Sequence, residues 1–288
     1  MTPVIVGKSV TGESHIRKNI ERQDSFCIAD STYKRKSNQY YEKMGSDVRL
    51  IAVADGHGSA SCPYSKTGSQ TAANVFCDIM AEYAAKYKDD MSALFSLLNR
   101  EGEITRISKQ IVGEWEKRIL NHHRMERRAV PVKENGESDF GTVWKMYGST
   151  LLGLFVTNGF IFSFQLGDGD INCVDGNGVS PVIESEKILG VETHSISKSN
   201  SWKHVLTKVT RLDSMSGNPF LYIVSTDGWL NSHSSEEEFQ KTCSDYFTLF
   251  NEHGPEVIES NLSGWLSETS KMGCGDDITV VFVYFKEE

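Results

Sequence analysis

Four times in this 288-residue chain a short apolar run stops or starts at an aspartate with glycine close by. Leu50 to Ala54 ends at Asp55-Gly56, Phe162 to Gly167 at Asp168, and Leu221 to Thr226 at Asp227-Gly228, while Asp276-Asp277 precede Ile278 to Phe285. A fifth acid, Asp24, follows Gln23 at the start of Ser25 to Ala29. Short apolar runs bounded by turn residues read as buried strands. One Asp-Gly after a strand is most often only a turn. The set behaves differently, because carboxylates at the ends of neighbouring strands meet on one rim of a sheet, where their repulsion is costly unless cations neutralise it. Oxygen donors without a Cys or His ligand set suit Mg²⁺ or Mn²⁺ rather than Zn²⁺ or Cu²⁺. Glycine beside a ligand lets a backbone carbonyl come close as well. Two such cations about 3.5–4 Å apart would hold a water or hydroxide and orient a phosphoryl oxygen.

Elsewhere the period changes. Ala72, Val75, Phe76, Ile79, Met80, Tyr83 and Tyr87 recur at helical spacing and predict a helix over Thr67 to Lys88; Ile104, Ile107, Ile111, Trp115 and Ile119 predict a second, ending near Glu126. Val130 to Asp139 reads as an exposed loop. Lys145 to Val156, Phe160 to Leu166, Asp170 to Val174 and Asp277 to Phe285 read as strands, with Asn158-Gly159 as a hairpin turn. Glu236 to Phe250 and Pro255 to Thr269 read as helices. The expected fold class is therefore α+β, with sheets packed on each other and helices covering their outer faces. With six prolines and no Gly/Ser-rich run, nothing marks an interdomain linker.

The formal charge of -9 disfavours a protein that coats nucleic acid or an anionic membrane. No run reaches the roughly 18 apolar residues of a membrane span, and the N-terminal residues lack the pattern of a secretory signal. The expectation is a cytoplasmic protein whose six scattered cysteines are reduced and mostly buried.

An ordered series of motifs resembles the metal-dependent protein phosphatases of the protein phosphatase 2C (PPM) type, in their bacterial form. It comprises Gly12-Glu13-Ser14-His15 with Gln23-Asp24-Ser25, Val53-Ala54-Asp55-Gly56-His57-Gly58, Tyr147-Gly148-Ser149-Thr150, Leu166-Gly167-Asp168-Gly169-Asp170, Ser225-Thr226-Asp227-Gly228-Trp229 and Gly275-Asp276-Asp277-Ile278-Thr279. Each motif is common, whereas six in this order are specific.

The resemblance implies a four-layer α-β-β-α sandwich of two mainly antiparallel sheets. It implies one catalytic domain over 1–288, elaborated at 101–143 and carrying a flap-like segment at 184–219. It also implies two Mn²⁺ or Mg²⁺ ions and a third, weaker site. Asp55 would bridge the two ions, Gly56 would offer its carbonyl, Asp24 would act largely through water, Asp227 and Asp276 would bind the other ion, and Asp168 would belong to the third site. The implied activity is a serine/threonine protein phosphatase, a phosphoric monoester hydrolase that uses a metal-bridged hydroxide. His57 would be the general acid for the leaving oxygen, a role imidazole suits near neutral pH. The implied partner is a phosphorylated protein in signalling that opposes a Ser/Thr kinase.

Departures from the family bear on the substrate. The family's phosphate-gripping arginine falls at Asn19, with Arg17 and Arg22 as nearby substrate-binding candidates, and Gly169-Asp170 stand where the family often has Ser-Arg. These departures keep a second reading open, an inactive pseudophosphatase that binds phosphoproteins as a regulator. The basic stretch Lys117 to Arg128 reads as a solvated helix face, with docking of an acidic or phosphorylated partner as the alternative. His15 reads as a structural residue, His122-His123 not as a metal pair, Ser149 and Thr150 not as nucleophiles, and Trp229 as core.

Overall fold

The computed structural model describes residues 3–34, 38–184, 194–213 and 217–286. Two five-stranded sheets, antiparallel throughout, form the centre. One sheet has the order β1 (Val4–Val10), β10 (Ile278–Phe285), β9 (Phe220–Ser225), β6 (Asp170–Asp175) and β7 (Gly178–Pro181). The other runs β2 (Ser25–Ala29), β3 (Arg49–Ala54), β4 (Leu151–Val156), β5 (Phe160–Leu166) and β8 (Leu206–Arg211). Helices α2 (Ser65–Lys86) and α4 (Glu101–Met125) cover the second sheet, and α7 (Glu236–His253) and α8 (Pro255–Met272) cover the first. The expected four-layer α-β-β-α sandwich is the observed architecture.

Three apolar layers explain why the central strands are apolar at nearly every position. Along β3, Leu50, Ala52 and Ala54 face the helices while Ile51 and Val53 face the opposite sheet. Along β10, Val280, Phe282 and Tyr284 face α7 and α8, while Val281, Val283 and Phe285 fill the space between sheets. A strand buried on both faces loses the polar alternation of a half-exposed one. Each large side chain so buried contributes about 1.5–3 kcal/mol relative to exposure.

The differences from the sequence expectations concentrate where burial is one-sided. β1, β7 and β8, all edge strands, were not anticipated: β8 reads Leu-Thr-Lys-Val-Thr-Arg and is a strand because β5 pairs with it. A strand expected over Lys145 to Val156 begins only at Leu151. Phe140–Lys145 is instead a short helix, α5, because Asp139 caps it by accepting from Thr142 N at 3.1 Å and Thr142 Oγ1 at 2.7 Å. Likewise Asp90 accepts from Ala93 N and starts a helix at Met91–Leu98, α3, that the periodicity did not mark. Of the flap-like segment expected over 184–219, residues 185–193 and 214–216 lie outside the described residues. All six cysteines are free, four of them buried. Among the described residues, no helix is long and apolar enough to cross a membrane.

Candidate active site

Antiparallel register delivers the carboxylates to one end of both sheets. Ser25 pairs with Ala54, so Asp24 precedes β2 where Asp55 follows β3. Leu151 pairs with Leu166, which brings Asp168 to the same end. In the other sheet Val280 pairs with Ser225, so Asp227 follows β9 beside the start of β10, where Asp276 lies. Asp55, Gly56, His57, Asp168, Asp227 and Asp276 all line one cleft of about 1430 Å³. Asp24 lies beneath, 2 % exposed.

Hydrogen bonds fix this rim. The Asp55 amide donates to Thr150 Oγ1 and Thr150 N donates to Asp55 O, both at 2.9 Å, extending the β3–β4 pairing past the strand end. Asp24 Oδ2 accepts from Thr226 Oγ1 and Thr279 Oγ1, each at 2.8 Å, which ties the two sheets together under the site. These hydroxyls favour the charged carboxylate, but desolvation and then the neighbouring Asp277 charge outweigh them, and Asp24 is pushed up to about 7. Asp55 is raised well above the ordinary range, by desolvation first and then by the Asp24, Asp227 and Asp276 charges. Burial and the neighbouring carboxylates therefore oppose full ionisation of Asp24 and Asp55, which a bound cation would relieve.

This donor set fits hard divalent cations. It is made of oxygens, its charges repel without a counter-ion, and Gly56 leaves room at the strand end: a Cβ there would lie 2.7 Å from Gln23 O and 2.8 Å from Ser65 O. Gln23 Oε1, in the cleft wall, is buried without a hydrogen-bond partner among the described residues. Among those residues no three His, Cys, Asp or Glu side chains already stand in the geometry of a bound ion. Asp227 Oδ2 accepts from Asn231 Nδ2 at 3.0 Å, and Asp276, exposed in the cleft, accepts from the Asp277 amide at 2.8 Å through Oδ1.

The second acid of the Asp276-Asp277 pair has a different task. Asp277 is buried and accepts from Gly12 N at 2.7 Å and Gln23 N at 2.6 Å, and lies 3.0 Å from His15 Nδ1. It locks the first motif against β10, and His15 is part of that lock. The doublet of acids before a terminal strand was the signal available for it.

The structure does not bring Arg17 or Arg22 to the cleft. Arg17 pairs with Glu13 on the exposed face of α1 (Glu13–Lys18), and Arg22 donates to Ser9 O and Asp24 O. Asn19 ends α1 in the left-handed region at φ 54°, a conformation asparagine tolerates far better than arginine.

The basic stretch at the end of α4 is only partly a solvated face, which corrects the sequence expectation. Arg118 pairs with buried Asp78 at 2.5 Å, and Arg128 Nη1 donates to Tyr147 Oη at 2.8 Å while its guanidinium stacks 3.8 Å over the Tyr64 ring. Buried His123 lies 3.3 Å from the same hydroxyl. Tyr147 precedes Gly148, whose carbonyl accepts from His57 N at 3.1 Å, so the helix end supports the backbone that carries His57. Trp229 is fully buried among aromatic side chains, as expected. Ser149 and Thr150 are buried with backbone partners.

A sequence model of the family described as protein phosphatase 2C matches residues 11–267. Among solved structures, the serine/threonine phosphatase of S. agalactiae is similar, with a TM-score of 0.57 at 14% identity, covering 99% of this chain and 100% of that one. The Mycobacterium tuberculosis serine/threonine phosphatase PstP/Ppp gives a TM-score of 0.55 at 14% identity over the full length of both chains. A catalytic domain of PstP described in complex with two manganese ions gives 0.53 at 15% identity, covering 99% of each chain. No curated protein matches in sequence.

Proposed function

Because the chain belongs to the protein phosphatase 2C family, we propose that it is a Mn²⁺- or Mg²⁺-dependent protein phosphatase acting on phosphoserine and phosphothreonine. The observation that carries the reading is the delivery of Asp24, Asp55, Asp168, Asp227 and Asp276, from both sheets, to one rim where burial and mutual repulsion oppose the charges of Asp24 and Asp55. Asp55, Gly56, Asp227 and Asp276 would hold two ions, Asp24 would act from beneath, and Asp168 would serve a third, weaker site. Bound divalent cations would supply an activated water and neutralise charge on the phosphoryl oxygens. His57 gives a ring proton to the departing seryl or threonyl oxygen, since an alkoxide leaves poorly. Its position is set by the 3.1 Å bond from its amide to Gly148 O. The partner is a phosphoprotein, and the activity reverses that of a Ser/Thr kinase.

Hydrolysis of an aryl phosphate with Mn²⁺, with chelator, and by Asp227→Ala tests the reading. Turnover should require the metal and fall at least about 10²-fold in the variant. Activity that survives chelation overturns it. The absence of an arginine at position 19 favours the second reading, a phosphoprotein-binding pseudophosphatase. That reading predicts phosphopeptide binding without turnover at any Mn²⁺ concentration.

The general-acid role has its own test. A Cβ on Gly148 would lie 2.5 Å from His57 Cδ2, so Gly148→Ala displaces the imidazole. Loss of a general acid costs about 10²-fold or more for a poor leaving group. Turnover of a phosphoserine peptide should fall by that amount, and that of an aryl phosphate, whose leaving group needs little protonation, by much less. Equal losses would remove His57 from the acid role.

A further inference from the structure

Building on that phosphatase reading, we propose that Lys133, Lys145 and Lys198 form an anion-binding wall that selects phosphorylated segments carrying further acidic residues beside the phosphate. Among the described residues these are the only lysines or arginines that line the cleft. They line the same cleft as Asp55, Asp168, Asp227 and Asp276. An anionic substrate approaching those acids is repelled until bound cations offset them, and lysines on the rim both steer the encounter and hold charge that the cations do not reach.

All three lysines sit on backbone tied to the site. Lys145 ends α5, and its carbonyl accepts from Gly148 N at 3.1 Å, one residue pair from the contact that holds His57. The Lys198 amide donates to Ser195 O at 3.1 Å, while Ser195 Oγ donates to Ser149 O at 3.1 Å and Ile196 N to the same carbonyl at 2.9 Å. Lys133 closes a turn with Glu137 and Gly136, and Asp139 N donates to Pro131 O at 2.7 Å, which joins the turn to α5. The wall's own acid, Asp139, caps α5 through Thr142 and also feels the Lys133 charge. Three separate ammonium groups exceed what one phosphoryl group can engage beside two metal ions. Each is a compact charge with rotatable donors, suited to carboxylates at varied positions rather than to one planar fork.

Two phosphothreonine peptides, one with acidic and one with neutral flanks, test the wall with Mn²⁺ present. Wild type should favour the acidic peptide by about tenfold in kcat/KM, mostly through KM, as expected for two or three partly exposed charge contacts. The triple variant Lys133→Ala/Lys145→Ala/Lys198→Ala should bring the ratio near one, the triple Lys→Arg variant should restore it, and 0.5 M salt should erase it. No preference in wild type, or a preference that survives the triple alanine variant, overturns the inference. Calorimetric binding of the same peptides as phosphonate analogues gives the same ratio independently of turnover. A chain that binds them with the preference but hydrolyses neither keeps the wall and loses the phosphatase reading.

Discussion

Asp55→Asn should lower Mn²⁺-dependent turnover by at least about 10³-fold and, in the same protein without metal, raise the melting temperature at pH 8. The two effects have one cause. Asp55 is placed where desolvation and the Asp24, Asp227 and Asp276 charges all oppose its ionisation. In the metal-free chain that charge is a liability, and asparagine removes it. With metal present the same carboxylate is the proposed bridge between ions, and an amide oxygen carries no charge to hold them. Activity assays and thermal melts with and without chelator read both effects. A variant that retains turnover removes Asp55 from the metal site; a metal-free variant less stable than wild type shows that the carboxylate serves the fold.

The pH dependence of the metal-free chain should run against the usual acid denaturation. Asp24 titrates at about 7 in the folded chain against an ordinary value of 3.8. An acid raised on folding contributes stability that is fully present below its unfolded pKa and is lost as pH rises through the folded one. The window is therefore from about 4 to about 7, and the metal-free chain should melt lower at pH 8 than at pH 5.5, with Asp55 acting in the same sense. Divalent cations offset the same buried charges. At about a hundredfold over Kd a bound ion adds about 2.7 kcal/mol, which for a chain of this size raises the melting temperature by about 4–5 °C. Mn²⁺ should thus stabilise strongly at pH 8 and weakly at pH 5.5. Asp24→Asn should flatten the metal-free profile, and a wild-type melting temperature that climbs between pH 5.5 and 8 in chelator would refute this account.

How much of this was legible before the fold depended on what each residue answers to. Strands β3, β5, β9 and β10 were readable because burial on both faces makes them continuous apolar runs, and α2, α4, α7 and α8 because one buried face imposes a helical period. The edge strands β1, β7 and β8 were not, since each has a single neighbour and polar or glycine positions that interrupt its apolar run. The helix α5, lying just before the expected strand, was not readable, because its start depends on the two hydrogen bonds Asp139 accepts from Thr142.

The carboxylates and His57 were visible as residues at strand ends, since a turn after a buried run is a local feature. Their convergence was an expectation that antiparallel register carried out. The separate fates of Asp276, turned to the cleft, and Asp277, buried against Gly12, Gln23 and His15, were decided by tertiary structure, as were the inward turn of Arg118 and Arg128 and the distance of Arg17 and Arg22 from the cleft. Local sequence determines where the chain bends and which faces are apolar, because those depend on neighbours a few residues away. Which charges meet, and which partner each meets, depends on residues from 19 to 265 positions apart, and only packing brings them together.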